Sequence, residues 1–366
     1  MSGTGRVGVG IIGAGVISRQ YLDYMTTFPD LDVRFIADIA LDRAQEQAEK
    51  YGVAGSGTVD ELLADDGIEI VVNLTIPAAH VPVGLQILDA GKHIWAEKPF
   101  ALDRESGQQL LARGREKGLR VASAPDTVLG RGIQTSLRAI DAGEIGTPVT
   151  ARAVFRSSGP EPWHPNPDFY YQPGGGPLLD MGPYYLTSLV QALGPVARVQ
   201  GRATRARTER VIGSGPREGA VLQVDVDTQV YGILEFEEGA VAQVEFSFDS
   251  AFAYTPVLEV LGDQGAMVLP DPNQFHGDTE VFPWGGTPVT KKVGEQPGRG
   301  TGVLELARAI RADVPERASG ALAYHVLDVM LSLGEAATSG AVVEVASTTA
   351  RSPRMPEDWD PTVATL

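Results

Sequence analysis

Val7-Gly8-Val9-Gly10-Ile11-Ile12-Gly13-Ala14-Gly15-Val16-Ile17-Ser18 decides how this chain folds. Val7–Ile12 is a short apolar run that stops at glycines, the pattern of a strand buried on both faces. Val16–Thr27 follows with helical spacing. In the register Gly13-x-Gly15-x-x-Ser18, Gly13 makes the tight turn. Gly15 lets the backbone approach a pyrophosphate, which then rests on the helix N-terminus at Val16 and Ile17. Ser18 takes the third place, and serine is small enough for the helix to lie close to the strand. A glycine motif alone is equally a bare strand–helix turn; the strand before it and the helix after it favour a dinucleotide site.

The next segments repeat the alternation. Val33–Ile36 reads as a strand ending at Asp38, with helices over Leu41–Tyr51 and Val59–Ala64. Ile68–Leu74 is a β-branched strand stopped by Pro77, and a helix over Val81–Ala90 ends at Gly91. Ile94–Ala96, Asp103–Lys117 and Leu119–Ala122 read as strand, helix and strand. Such order predicts a parallel sheet with helices on both faces, an α/β domain over residues 1–126. Past Asp126 the pattern changes. Gly130–Ala142 reads as a helix. Val149–Phe155, Val196–Thr204, Val224–Phe236, Ala240–Phe248, Val257–Leu261 and Ala266–Leu269 read as strands, with a hairpin turn at Glu237-Glu238-Gly239. Helices are expected over Val303–Ala312 and from a Ser319 cap to about Leu333. Residues 127–366 are therefore expected to form an α+β domain, an antiparallel sheet with helices on one face.

Ligands of an open α/β sheet bind outside the carboxyl ends of its strands. Asp38 stands where an acidic residue holds the ribose hydroxyls, and no basic residue adjoins it to accept a 2′-phosphate. NAD is expected rather than NADP. Arg43 is the one nearby side chain that opposes this, and Asp38 read blandly is a cap for the following helix. Thr75, Pro77 and His80 follow the third strand and should face the cofactor, although a lone histidine there is more often a packing residue. Glu97-Lys98-Pro99 closes the run Lys92–Ala96, so Lys98 points toward the cofactor as a candidate for chemistry.

Composition excludes other classes. A length of 366 residues with 43% hydrophobic and 21% charged residues fits a globular protein of two domains. The formal charge of −17 argues against a nucleic-acid partner. Cysteine is absent, so disulfides and thiolate metal sites are excluded. No segment suits a leader or a membrane span, and the cytoplasm is the expected location. The histidines form no H-x-x-x-H pair and there is no G-x-S-x-G elbow, so neither a catalytic metal nor a serine hydrolase is expected.

The glycine turn, Thr75-x-Pro77-x-x-His80, Glu97-Lys98-Pro99 and Gly174-Gly175-Gly176-x-x-x-Asp180-x-Gly182 occur in the order of one family. The chain resembles the glucose-fructose oxidoreductase and inositol dehydrogenase (Gfo/Idh/MocA) family over essentially its whole length. The resemblance implies an N-terminal Rossmann domain and a C-terminal domain with a large, mostly antiparallel open-faced sheet. That face would join subunits into a homodimer or homotetramer. It also implies hydride transfer between NAD and a sugar, cyclic polyol or sugar derivative. The family pattern runs from the aspartate to a histidine four residues on, the usual proton-transfer group. Here that position is Tyr184, as in a subgroup that resembles sugar and dihydrodiol dehydrogenases.

Asp180 and Tyr184 share a face if their segment is helical. Pro183 is tolerated there only if Asp180 is the cap, and the bland reading is a cap and a core aromatic. With the resemblance, Tyr184 is expected to move the proton while Lys98 polarises the substrate oxygen, since a nearby ammonium favours phenolate. Asp180 would position Lys98 or a second hydroxyl, and the roles of Lys98 and Tyr184 are interchangeable at this level. Trp163, His164 and Tyr170 lie in the loop Gly159–Gly176 and suit the apolar faces of a sugar ring, or else pin the loop to the core. Asp126 is a candidate for a substrate hydroxyl, and His325 reads as packing. Two other readings remain: a glycoside hydrolase that oxidises its substrate transiently with bound NAD, and a cofactor-sensing regulator that turns nothing over.

Overall fold

The computed structural model describes residues 5–252 and 255–366. Two compact units divide the chain: residues 1–130, 295–324 and 352–366 form the first, and residues 131–294 and 325–351 the second. A single cut after residue 126 therefore does not describe it. The chain returns twice to the first unit, held there by charge pairs across long sequence separations. Arg308 donates to Asp30 at 2.8 Å, and Arg311 to Glu69 at 2.6 and 2.8 Å.

The first unit begins with β1 (Val7–Ile12), α1 (Val16–Met25), β2 (Leu31–Ala37), α2 (Leu41–Tyr51), β3 (Gly55–Gly57) and α3 (Val59–Leu63). It continues with β4 (Ile70–Asn73), α4 (His80–Asp89), β5 (His93–Ala96), α5 (Arg104–Lys117) and β6 (Val121–Ser123). All strand pairs are parallel, in the order β3-β2-β1-β4-β5-β6. This is the doubly wound order of dinucleotide-binding domains, with the reversal between β1 and β4. Every residue of β1 and β4 is buried, which is why both read as unbroken apolar runs. α3 starts at a capping box in which Thr58 accepts from the Glu61 amide and Glu61 accepts from the Thr58 amide.

The second unit holds α6 (Arg131–Asp141), β7 (Pro148–Arg156), α7 (Pro177–Leu193), β8 (Val196–Thr204), β9 (Glu209–Val211) and β10 (Val221–Gln223). It goes on through β11 (Gln229–Phe236), β12 (Val241–Ser247), β13 (Thr255–Gly262), β14 (Gly265–Val268), β15 (Thr279–Pro283) and β16 (Val289–Lys291). α8 (Thr301–Ala312) returns to the first unit, α9 (Gly320–Ser339) passes into the second, and β17 (Val343–Glu344) follows. Nine strands form one sheet in the order β16-β15-β14-β13-β7-β12-β11-β8-β17, among the described residues. Only β7 and β12 pair in parallel, so the sheet is mixed but mostly antiparallel.

Three expectations are corrected. Val224–Phe236 is not one strand: β11 starts only at Gln229, and the Asp225 amide bonds instead to the Tyr171 carbonyl at 2.8 Å. Asp225 and Asp227 are poor strand formers, and this backbone supports the preceding loop. α9 runs to Ser339 rather than about Leu333, with Ser319 accepting from the Leu322 amide at 3.3 Å. α7 begins at Pro177 with Gly176 as its cap, so Asp180 lies in the first turn and Pro183 inside the helix.

Candidate active site

The first unit gathers its candidate residues along the carboxyl edge of the parallel sheet. Gly13 follows β1 with φ 107°, and a Cβ there would lie 2.7 Å from the Leu74 carbonyl oxygen. Only glycine tolerates both the conformation and the approach. Gly15 is extended and caps α1 without a side-chain bond, and a Cβ on it would meet nothing within 4 Å. The first turn of α1 contains no acidic residue. Open space beside a helix N-terminus without an anion of its own is what a pyrophosphate requires. Ser18 is fully buried, and its hydroxyl donates back to the Gly15 carbonyl at 2.7 Å, which closes the turn.

Asp38 follows β2. Its carboxylate accepts from the Ala14 amide at 2.6 Å and from the Ala40 amide at 2.8 Å. α2 is capped by Ala40 without a side-chain bond, so Asp38 braces the glycine turn rather than capping that helix. Each oxygen keeps a lone pair for a ribose hydroxyl. Arg43 is exposed in the first turn of α2. Val16, Ile39 and Ile76, which follow β1, β2 and β4, are 65%, 100% and 66% exposed. Bare apolar side chains at three strand ends suit the flat faces of a base. The residues present thus fit a dinucleotide.

At the end of β4, Asn73 is fully buried; it accepts from the Thr75 hydroxyl at 2.7 Å and donates to the His80 carbonyl at 2.9 Å. Pro77 opens a short 3-10 turn over Pro77–Ala79. The His80 ring is buried between the Pro99 carbonyl at 2.8 Å and the Thr75 carbonyl at 3.0 Å, and burial holds its pKa below the ordinary value. The structure thus turns His80 inward as a brace between the ends of β4 and β5. It does not present the ring to a cofactor, because both ring nitrogens are engaged inside.

Glu97 is buried and Lys98 half-buried. One Glu97 oxygen accepts from the Tyr21 hydroxyl at 2.8 Å and the other from the Lys98 amide at 3.0 Å. The side chain expected at the cofactor is therefore committed to the protein interior. Asp126 differs in the same way from its expected role toward substrate. It is fully buried and caps α8 by accepting from the Gly300 and Gly302 amides at 2.9 and 3.2 Å. Burial pushes its pKa up to about 6, against the pull of the Arg299 guanidinium 3.8 Å away.

In the second unit, Asp180 and Tyr184 stand one turn apart on α7, Asp180 half-buried and Tyr184 buried. The loop before α7 brings His164 against Trp163, Phe169 and Tyr170, with ring centroids 5.4 to 5.5 Å apart. Burial lowers the His164 pKa, and the Asp180 charge opposes that shift. Trp163 is 65% exposed, so the cluster offers an open aromatic face. Beneath it Arg210, on β9, is enclosed. It donates to Glu161 at 2.7 Å, to the Ser158 carbonyl at 2.8 Å and to the Phe248 carbonyl at 2.9 Å, and also pairs with Asp249. Tyr171 donates to the same Glu161, and its ring lies 5.2 Å from the guanidinium. His325 is a packing residue, as read: its Nε2 accepts from the Val196 amide at 3.0 Å.

Sequence reasoning did not find Tyr21, Asn73, Glu161 or Arg210. Tyr21 carried a faint signal, since a tyrosine on the buried face of a helix needs a partner for its hydroxyl. Arg210 carried none; its neighbours come from three distant segments. Among the described residues no group of acidic and histidine side chains could hold a metal, and no helix is long and apolar enough to cross a membrane.

Comparison with known proteins accords with this geometry. A family model described as "Oxidoreductase family, NAD-binding Rossmann fold" matches residues 7–124, and the "GFO/IDH/MocA C-terminal domain" matches residues 133–268. A dTDP-3,4-didehydro-2,6-dideoxy-alpha-D-glucose 3-reductase of Streptomyces violaceoruber is 30% identical over 265 residues, 71% of this chain and 72% of that protein. A D-glucoside 3-dehydrogenase of Escherichia coli (strain K12) is 29% identical over 274 residues, 72% of this chain and 77% of its own. In fold, a levoglucosan dehydrogenase solved with NADH and L-sorbose superposes with a TM-score of 0.80 at 21% identity, over 94% of this chain and 100% of that one. The chain belongs to the GFO/IDH/MocA oxidoreductase family, with an NAD-binding Rossmann fold.

Proposed function

We propose that this protein moves a hydride between NAD and a hydroxyl or carbonyl of a sugar, cyclic polyol or sugar derivative. The observation that carries the reading is one edge of one sheet. The Gly13–Gly15 turn, Asp38 and Lys98 follow β1, β2 and β5 at the carboxyl side, where a dinucleotide and its reacting partner belong. The bound nicotinamide supplies the hydride chemistry. Asp38 supports NAD over NADP, because its carboxylate repels a 2′-phosphate and accepts from a ribose hydroxyl. The relatives named above support a sugar substrate.

Lys98 orients and polarises the substrate oxygen. Tyr184 takes or returns the hydroxyl proton, in the place where the family pattern has histidine. Asp180, on the same face of α7, positions a second hydroxyl. The aromatic face formed by Trp163, His164 and Tyr170 takes the apolar side of the ring. The sheet of the second unit has an open groove of about 810 Å³ lined by Tyr231, Ile233, Val241 and Leu261. These exposed apolar side chains support assembly of a homodimer or homotetramer through that face.

The test is a panel of sugars and polyols with NAD and with NADP, read by absorbance of the reduced cofactor, for the wild type and Lys98→Met. Reduction of NAD by the wild type and none by the variant is the expected result. Near-normal turnover by Lys98→Met with intact NAD binding refutes the assignment. Sugar release without net NADH would make the protein a hydrolase, and NAD binding without any turnover a sensor.

A further inference from the structure

We infer that Tyr21 is a positioning residue for Lys98, acting through Glu97. It ties the helix that cradles the dinucleotide phosphates to the turn that presents the lysine. The inference rests on the proposed role of Lys98 toward the substrate oxygen.

Each polar atom in the chain of contacts is committed. The Trp95 indole N–H donates to the Tyr21 hydroxyl at 3.1 Å, which directs the single phenolic proton to Glu97 at 2.8 Å. Tyr21 and Trp95 are fully buried, so water offers neither a substitute partner. Burial raises the Tyr21 phenol well above its ordinary value, with the Glu97 and Asp126 charges adding to the effect. The hydroxyl therefore remains a donor. The second Glu97 oxygen accepts from the Lys98 amide at 3.0 Å, so the carboxylate is a two-ended bracket.

The bracket joins the two halves of the site in the first unit. Tyr21 lies six residues beyond Gly15 on α1, about 9 Å along a rigid rod at 1.5 Å per residue. The same helix presents its N-terminus where the pyrophosphate would rest. Movement of the Lys98 turn relative to the cofactor cradle must break the Tyr21–Glu97 bond or strand a buried carboxylate oxygen. A buried charged acceptor that loses its donor is costly, so the bond holds one spacing.

A merely structural tyrosine predicts lost stability and unchanged chemistry. The inference predicts a kcat effect. Tyr21→Phe is expected to lower kcat about tenfold or more, because small misplacements of a reacting group have effects of that order. The dissociation constant for NADH, read by its fluorescence, should change little. Leu22→Val trims the buried core of the same helix and is the stability control; it should lower the melting temperature and keep kcat. Glu97→Gln leaves one carbonyl oxygen for two donors and should lose a similar factor in kcat. Combined with Tyr21→Phe it should lose little more.

Normal kcat in Tyr21→Phe beside an inactive Lys98→Met overturns the inference and leaves the proposed function standing. Near-normal turnover in Lys98→Met refutes the role assigned to Lys98, on which the inference rests, and leaves the hydride transfer itself standing. An equal kcat loss in Leu22→Val makes the Tyr21 effect structural and also overturns the inference. If Tyr21→Phe does not fold, normal kcat in Glu97→Gln overturns it instead.

Discussion

Arg210 donates to Glu161 at 2.7 Å beneath the loop that carries Trp163, His164 and Tyr170, and the arginine side chain has only 1% of its surface exposed. Arg210→Met leaves the Glu161 and Asp249 carboxylates enclosed without their cation. Breaking a buried pair from one side costs about 3–5 kcal/mol. Chemical denaturation should show a loss of that size. Steady-state kinetics should show KM for the sugar rising more than kcat falls, because the loop and not the reacting groups is released.

The two glycines of the turn should part company. Gly13→Ala puts a methyl group against the Leu74 carbonyl at a positive φ, and the backbone must shift. Strain of this kind costs about 1–3 kcal/mol, so the unliganded protein should melt lower. Gly15→Ala meets nothing in the protein and should melt normally. Its methyl occupies the space a pyrophosphate needs, so NADH binding followed by fluorescence should weaken in both variants.

Asp126 sets a pH dependence. Its ordinary value of 3.8 is raised to about 6 in the folded protein, so the folded state holds the proton more tightly. The stability this group contributes is full below about pH 4 and is lost as pH rises through about 6, an effect of about 3 kcal/mol. Asp126→Asn retains an oxygen for the Gly300 and Gly302 amides but cannot ionise. Relative to the wild type, the variant should therefore gain about 3 kcal/mol between pH 4 and pH 7 in denaturation curves. A difference that does not change with pH would contradict the raised value.

Tyr184→Phe tests the proton step. The variant should lose about 10²- to 10⁴-fold in kcat while keeping NADH affinity. An unchanged kcat would move the proton transfer to Lys98.

The parallel half of the molecule was legible because its strands are buried on both faces and lie between glycine and proline stops. The places of Gly13, Gly15, Asp38 and Lys98 just after strands were legible for the same reason. The short strands β9, β15 and β16 were not, because pairing and not local composition holds them. The return of α8 was illegible in principle. Arg308 and Arg311 find Asp30 and Glu69 across 278 and 242 residues of sequence, and periodicity reports nothing at that range. Asp126, His80 and Glu97 were located as residues of the right edge but turned the wrong way. Sequence gives a position along a strand end, whereas direction is decided by which backbone amides and carbonyls lie within reach.

Asp30 accepts from the amides of Thr365 and Leu366 at 2.8 and 3.1 Å, besides the Arg308 guanidinium. A ribosome makes the whole parallel sheet before the segments that return to it, so Asp30 gains Arg308, Thr365 and Leu366 only after the large sheet of the second unit has been synthesised. The nucleotide-binding unit thus begins to form before the second unit and is completed after that unit's sheet has been made. Residues 1–130 produced alone should be a loosened, protease-sensitive species, and adding residues 295–366 as a separate chain should not restore it efficiently, because the order of synthesis is then lost along with the tether.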